Sequence, residues 1–135
     1  MRPLNLPDLT GRTILVVDDN DDALDMLATF LRACGANVLQ ARTGSTALGY
    51  VETQPGIDAL VTDLSMPIMD GIELVRRLRD HPLRSNIPAI ALTGFYESYL
   101  DTAGFTAFLR KPVDLDKLCK AIIDASEGDH LRRAG

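Results

Sequence analysis

ILVVDDN, at residues 14–20, is the stretch that decides the fold. Four apolar residues, three of them β-branched, run directly into two adjacent carboxylates. A short continuous apolar run is typical of a strand buried on both faces. Apolar residues then recur at helical spacing, at Leu24, Leu27, Ala28 and Leu31. The segment therefore predicts a buried strand, a polar turn and an amphipathic helix, which is the first unit of an α/β fold.

The rest of the chain repeats this alternation of short apolar runs and helix-period segments. Further strands are expected at 37–41, 59–62, 89–92 and 107–109. Apolar residues at helical spacing predict helices around 47–51, 74–78 and 115–123, and a short helix is expected at 97–103. Five strand–helix units predict a parallel sheet with helices on both faces.

Composition limits the class of protein. The chain has 135 residues, 46% of them hydrophobic and 24% charged, which predicts one domain with a real core and excludes a disordered chain. A net charge of −5 disfavours non-specific binding to nucleic acid. There is no run of 18 apolar residues, so a membrane span is not expected. Cys34 and Cys119 lie in apolar segments, which predicts reduced core thiols and a cytoplasmic protein.

Polar side chains terminate four of the predicted strands. Asp18 and Asp19 follow the first strand, Asp63 the third, Thr93 the fourth and Lys111 the fifth. The carboxyl ends of parallel strands meet at one edge of the sheet, where open α/β folds bind ligands. We therefore expect three carboxylates, a hydroxyl and an amine to converge there.

Three neighbouring carboxylates repel one another unless a cation is present. Magnesium, or alternatively manganese, fits because hard divalent ions prefer oxygen ligands. A metal and a lysine around one carboxylate are the components of phosphoryl transfer. Asp18 and Asp19 could instead simply cap the first helix. A calcium loop of the EF-hand type is excluded because Ala23 and Thr29 occupy its glycine and glutamate positions.

Four segments resemble the receiver domain of two-component response regulators. They are ILVVDDN at 14–20, ALVTDLSMPIMDG at 59–71, ALTG at 91–94 and FLRKPVD at 108–114. Each motif alone is weak, but four strand ends agree in residue type and order. The resemblance implies a flavodoxin-like, doubly wound five-stranded parallel sheet in the order 2-1-3-4-5 with five helices.

The resemblance also implies a role for each residue of the site. Asp63 would be the phosphoacceptor, and Asp18, Asp19, Asp63 and the backbone carbonyl of Ser65 would hold Mg²⁺. Thr93 and Lys111 would contact the phosphoryl group. Thr93 could instead be a plain helix cap.

Two further positions match the family near the fifth strand. Phe108 would be the switch aromatic, although it could equally be a core residue that reports only burial. The Lys111–Pro112 bond would be cis.

The spacing departs from the family at one place. Thr93 and Lys111 are 18 positions apart, about four fewer than in the usual receiver, and the loss falls between Gly94 and Ala103. About four residues are one helical turn, so we predict a shortened fourth helix. The predicted organisation is a leader at 1–11, a receiver domain at 12–126 and a polar tail at 127–135.

The predicted function is a phosphoacceptor in a two-component system or phosphorelay. A histidine kinase or phosphotransfer protein would phosphorylate Asp63, which would switch a protein-binding surface toward a downstream protein, a relay or a homodimer. The chain would assist its own phosphorylation without being a turnover enzyme. The alternative is a receiver-fold interaction module that works without phosphorylation. A hydrolase of the haloacid-dehalogenase type is disfavoured because Ser65 stands where that family needs a second aspartate.

Overall fold

The computed structural model describes residues 6–94 and 104–134, which form five strands and four helices. The strands are β1 (Thr13–Val17), β2 (Asn37–Ala41), β3 (Ala59–Asp63), β4 (Ala89–Thr93) and β5 (Ala107–Arg110). The helices are α1 (Asp21–Ala33), α2 (Gly44–Thr53), α3 (Gly71–Arg79) and α4 (Leu115–Ala134).

The strands form one parallel sheet in the order β2-β1-β3-β4-β5, which confirms the predicted topology. The register pairs Val17 with Ala41 and Thr62, and it pairs Thr93 with Arg110. The strands therefore end at nearly the same level, and the residues that follow them share one edge of the sheet.

Side-chain caps fix where three helices begin. Asn20 accepts a hydrogen bond from the Ala23 N–H at 2.9 Å before α1, and Thr43 accepts one from the Thr46 N–H at 3.1 Å before α2. Asp70 accepts one from the Glu73 N–H at 2.8 Å before α3. These bonds satisfy backbone donors that have no partner inside the helix.

Apolar side chains fill both faces of the sheet. Ile14, Val16, Val61 and Ile90 point to the cluster that contains the apolar residues of α1 and α4. Leu15, Val17 and Leu60 point to the cluster that contains those of α2 and α3. Alternate residues of each strand are thus buried on opposite faces, as a doubly wound fold requires.

Both ends of the described chain have structure outside the predicted receiver boundaries of 12–126. Leu9, within the predicted leader, is fully buried in the core, and its N–H donates to the Cys34 carbonyl at 2.8 Å. At the other end, α4 continues through Ala134, past the predicted start of a polar tail at Glu127. The final segment contains no proline, and most of its residues are compatible with a helix.

Three further predictions concern local features. Cys34 and Cys119 are free and buried, as expected for core thiols. The Lys111–Pro112 peptide bond is cis. The predicted shortened fourth helix falls within residues 95–103, which lie outside the described part of the chain.

Candidate functional site at the carboxyl edge of the sheet

The predicted carboxylates meet at the edge where β1 and β3 end. Asp18 and Asp63 are buried, whereas Asp19 is exposed. Each contributes an oxygen to a group whose atoms all lie within 4.8 Å of one another. The sheet causes this convergence, because β1 and β3 are paired neighbours and both end at this level.

The local charge is unfavourable for Asp18. Burial raises the pKa of its carboxyl above the usual value, and repulsion by Asp63 and Asp19 adds to the effect. The Asn20 N–H, which donates to the Asp18 carboxylate at 2.9 Å, and the charge of Lys111 oppose the rise in this pKa without cancelling it. The protein's own groups therefore leave negative charge at this site incompletely compensated.

Lys111 supplies the nearest positive charge. Its Nζ lies 2.9 Å from Asp63 Oδ1, and its side chain is partly exposed. Its backbone N–H donates to the Thr93 carbonyl at 2.8 Å, which ties the residue after β5 to the end of β4. The amine thus reaches Asp63 from a fixed backbone position.

Thr93 and Phe108 lie beside this group without joining it. The Thr93 hydroxyl donates to the Leu109 carbonyl at 3.5 Å, which is a long hydrogen bond. Phe108 is 40% exposed, and its ring centroid lies 5.2 Å from that of Phe105. The core interpretation of Phe108 is therefore wrong for this conformation, and its role as a switch stays a prediction.

The loop after β3 contributes the remaining candidate ligand. The Ser65 N–H donates to Asp63 Oδ1 at 3.4 Å. Gly71 closes the loop through a 2.9 Å hydrogen bond from its N–H to the Leu64 carbonyl. A Cβ at Gly71 would lie 2.5 Å from the Asp63 carbonyl oxygen, so only glycine permits this closure without backbone movement. Gly71 ends the motif at 59–71 that supported the family resemblance, but the sequence alone did not assign it this role in closing the loop.

The residues present fit a hard divalent cation. Three carboxylates are close enough to share one ion, and burial, with repulsion by Asp63 and Asp19, raises the pKa of Asp18. Oxygen donors without histidine or cysteine favour magnesium or manganese over zinc. The fold and the site together define a doubly wound α/β protein. At the carboxyl edge of its sheet lies an acidic cluster that is suited to binding a divalent cation.

This chain belongs to the response regulator receiver domain family, whose model matches residues 14–123. It is 40% identical over 119 residues to an uncharacterized 14.6 kDa protein of Leptolyngbya boryana, covering 84% of this chain and 89% of that protein. It is 37% identical to part of the CAI-1 autoinducer sensor kinase/phosphatase CqsS of Vibrio cholerae, covering 82% of this chain and 17% of that protein. It is 35% identical to the transcriptional regulatory protein FixJ of Rhizobium meliloti, covering 88% of this chain and 59% of that protein.

Solved structures agree with the family assignment. A response regulator receiver domain protein from Clostridium thermocellum superposes with a TM-score of 0.80 at 31% identity, covering 89% of this chain and 98% of that one. The crystal structure of FixJ-N superposes with a TM-score of 0.78 at 33% identity, covering 88% of this chain and 96% of that one. Receiver domains of this family are signalling modules of two-component systems. Within the residues that the structure describes, no helix is both long and apolar enough to cross a membrane.

Proposed function

We propose that this chain is a phosphoacceptor receiver, with Asp63 as the residue that carries the phosphoryl group. The observation that carries the proposal is the placement of Asp63 between two other carboxylates and the Lys111 amine. A carboxylate that is only structural would gain nothing from two acidic neighbours, because they raise the free energy of its charged form. A nucleophilic carboxylate does need these two acidic neighbours, because all three would hold the same cation.

The reaction is a transfer from a phosphohistidine of a kinase or phosphotransfer protein. An oxygen of the ionised Asp63 carboxylate attacks phosphorus, the new O–P bond forms, and the P–N bond to imidazole breaks. The departing imidazole keeps the electron pair of that bond and takes up a proton. Lys111 Nζ, already 2.9 Å from Asp63, is placed to stabilise charge on the phosphoryl oxygens.

Asp18, Asp19, Asp63 and the Ser65 backbone carbonyl are the residues that would hold Mg²⁺, or alternatively Mn²⁺. When bound, the ion would neutralise carboxylate and phosphoryl charge at the site. The chain's own residues orient the acceptor. The Ser65 N–H and the Lys111 amine both contact Asp63 Oδ1, so the two interactions fix which way the carboxylate faces.

Thr93 is the residue proposed to transmit the phosphorylation of Asp63 to the protein surface. Its hydroxyl makes only a 3.5 Å hydrogen bond to Leu109, so exchanging that partner for a phosphoryl oxygen costs little. Phe108 lies one residue before Leu109 on β5 and is partly exposed, so movement of Thr93 would change the space open to its ring. Protein partners, including a downstream target, a relay protein or a second copy, would read that surface. The cytoplasmic location stays a prediction.

The test is phosphorylation by a small acyl phosphate in the presence of Mg²⁺, followed by intact mass. We expect one phosphoryl adduct on the wild type and none on Asp63→Asn. Asp124→Asn is the matched control, because it removes one exposed carboxylate from α4 and should be phosphorylated normally. Chelation of the metal should abolish the adduct.

The competing function is a receiver-fold interaction module that works without phosphorylation. A folded wild type that binds Mg²⁺ and forms no adduct would favour it. An adduct that persists on Asp63→Asn would contradict the assignment of the acceptor.

A further inference from the structure

The two cysteines of the sequence meet in the core. Cys34 directly follows α1 and Cys119 lies in α4, 85 positions further along the chain. Both side chains are fully buried in the same apolar cluster, and the Cys34 side chain hydrogen-bonds to the Cys119 thiol. A buried cysteine packs like any small apolar residue, so packing alone does not require the two to be neighbours. Their contact therefore indicates a chemistry of the pair.

The N-terminal segment, residues 6–12, packs against the end of α1 where Cys34 lies. Leu9 is fully buried in the cluster that contains both cysteines, and its N–H donates to the Cys34 carbonyl at 2.8 Å. Gly35 has a φ of +98°, and a Cβ there would lie 2.6 Å from Thr10 Oγ1. Glycine thus lets the segment approach closely, and Leu9 covers the core beside Cys34.

This covering segment is suited to open without unfolding of the domain. Residues 6–12 form no helix or strand, and Asp8, Thr10 and Gly11 are exposed. Terminal segments of this kind open at a lower free energy than the core elements do. While the segment is closed, burial raises the pKa of the Cys119 thiol to about 12, so little reactive thiolate is present. Oxidation of the pair would therefore require the open form.

We propose that Cys34 and Cys119 form a redox-active pair, which a low-molecular-weight disulfide such as oxidised glutathione converts to an internal disulfide when the N-terminal segment opens. Cys34 reacts first, because it lies at a helix end beside the segment, whereas Cys119 lies within α4. Its thiolate attacks one sulfur of the reagent, the S–S bond of the reagent breaks, and one small thiolate leaves and takes up a proton.

The second step closes the bond inside the protein. The Cys119 thiolate attacks the Cys34 sulfur of the mixed disulfide, and the second small thiolate leaves and takes up a proton. In total the two protein thiols lose two electrons and two protons, and the reagent gains them as two free thiols.

The disulfide would act on elements that also position the site at the carboxyl edge. It would join the end of α1 to α4, and α1 begins at Asp21, close to the acidic cluster. The helix α4 begins four residues after Lys111. The bond would therefore restrict how these two helices move relative to each other. This input is separate from phosphorylation of Asp63, so the inference does not rest on the proposed function.

The first experiment tests whether the pair forms a disulfide. Reduced wild type is incubated with oxidised glutathione without denaturant, and intact mass and peptide mapping are recorded. We expect a loss of about 2 Da and a peptide that joins Cys34 to Cys119. Cys34→Ala and Cys119→Ala are the matched controls, because each keeps one thiol and can form only a mixed disulfide. Oxidised wild type should unfold at a higher temperature than reduced wild type, because the bond closes a long loop.

The second experiment tests whether the N-terminal segment controls the reaction. Leu9→Ala is compared with Leu78→Ala, because Leu78 is equally buried but lies in the cluster on the other face of the sheet. We expect Leu9→Ala to form the disulfide about tenfold faster than wild type or more, and Leu78→Ala to stay within about twofold of wild type. Leu9→Val and Leu78→Val make the same comparison with smaller losses of stability, should an alanine variant not fold.

Three outcomes would overturn the inference. Wild type that gains glutathione or stays unmodified, without the internal disulfide, would show that the two thiols are only core residues. A lower unfolding temperature for the oxidised protein would show that the bond forms only when the fold is distorted. Equal acceleration by the substitutions at Leu9 and Leu78 would show that the thiols react through global unfolding, and the N-terminal segment would then have no controlling role.

Discussion

The two edges of the sheet differ in how far their polar groups are satisfied by partners within the chain. At the amino edge, where strands begin, polar groups have partners: Arg12 Nε donates to Ser126 Oγ at 2.9 Å, and the Thr13 N–H donates to Asp58 at 2.8 Å. At the carboxyl edge, three carboxylates lie together, Lys111 pairs with one of them, Asp63, and Ile68 is held at a positive φ. The contacts at the amino edge stabilise the fold. At the carboxyl edge, charge repulsion and backbone strain reduce stability, and a ligand or partner would relieve them.

This comparison predicts that substitutions at the amino edge destabilise the protein, whereas removal of charge at the carboxyl edge stabilises the metal-free protein. The largest effect is expected at Leu9, which is fully buried although it precedes the residues matched by the family model. Leu9→Ala should lower the free energy of unfolding by about 3 kcal/mol, because it leaves a cavity in a packed core.

Urea unfolding measures this loss, with Leu83→Ala as the exposed control expected to change stability by less than about 0.5 kcal/mol. Phosphorylation of folded Leu9→Ala by the acyl phosphate should be unchanged, since the site lies at the other edge. A loss below about 1 kcal/mol would show that the first eleven residues are the separable leader that the sequence predicted.

The next effect concerns Arg79, at the end of α3. Its guanidinium donates to the carbonyls of Ser85, Ile87 and Gly104, so it joins the loop before β4 to the residues before β5. Burial lowers its pKa from the usual value, although the group remains charged at neutral pH.

Arg79→Lys should cost about 2 kcal/mol in urea unfolding, because a single ammonium cannot reach three separated carbonyls. Arg77→Lys is the matched control, since Arg77 is exposed and pairs with Glu73 on the same helix. Equal stability of the two lysine variants would mean that the loops hold their positions without the guanidinium.

A third prediction uses pH to probe the core beneath Leu9. Burial raises the pKa of the Cys119 thiol from 9.0 to about 12, and the neighbouring Cys34 contributes. The folded-state pKa lies above the unfolded value, so the stabilisation is complete below pH 9 and is lost as pH rises toward 12.

The stability advantage of wild type over Cys119→Ala should therefore be constant between pH 7 and 8. It should shrink by about 1.4 kcal/mol between pH 9.5 and 10.5, as one proton is released on unfolding. Urea unfolding of both proteins across this range measures the difference. A difference that does not depend on pH would show that water reaches the thiol.

These differences also explain what the sequence could and could not predict. Strand ends followed by Asp18, Asp63 and Lys111 predicted the site, because parallel pairing alone brings such residues to one edge. The sequence allowed Leu9 to pack on the domain but did not show where, since nothing local shows where a short apolar segment packs. The turn at Ile68 was equally hidden, because it depends on Met66 and Met69 being held from either side.

Helix ends show the same distinction. Asn20, Thr43 and Asp70 are capping residues that a sequence displays, and each caps its helix. The end of α4 displays no such signal, and the helix continues through Ala134, within the polar tail predicted from Glu127. Local hydrogen bonds such as helix caps can be predicted from the sequence, whereas packing between segments that are distant in the sequence cannot.

The smallest predicted effect is also the sharpest test of the comparison, because its sign is opposite to that of the others. In Asp18→Asn the amide oxygen can still accept the Asn20 N–H, while the buried charge that repels Asp63 and Asp19 is gone. Without divalent ions at pH 7, this variant should be more stable than wild type by about 1 kcal/mol.

The direction of the Asp18 pKa fixes how this difference depends on pH. Because the folded-state pKa is raised, the protonated carboxyl favours folding, and that contribution is lost as pH rises through the folded-state value. The advantage of Asp18→Asn should therefore vanish below the ordinary aspartate pKa of 3.8 and grow as pH rises through the folded-state value. Added Mg²⁺ should reverse this difference in stability, because the wild type can bind the ion through the Asp18 carboxylate, which the variant lacks.

Asp124→Asn separates this effect from a general reduction of negative charge, since it makes the same change in net charge on the exposed surface of α4. It should show neither the stability gain nor the reversal by Mg²⁺. If Asp18→Asn were instead less stable than wild type in the absence of metal, the carboxylates would be stabilising one another through a shared proton. The carboxyl edge would then be as well satisfied as the amino edge, and the contrast between the two would be lost.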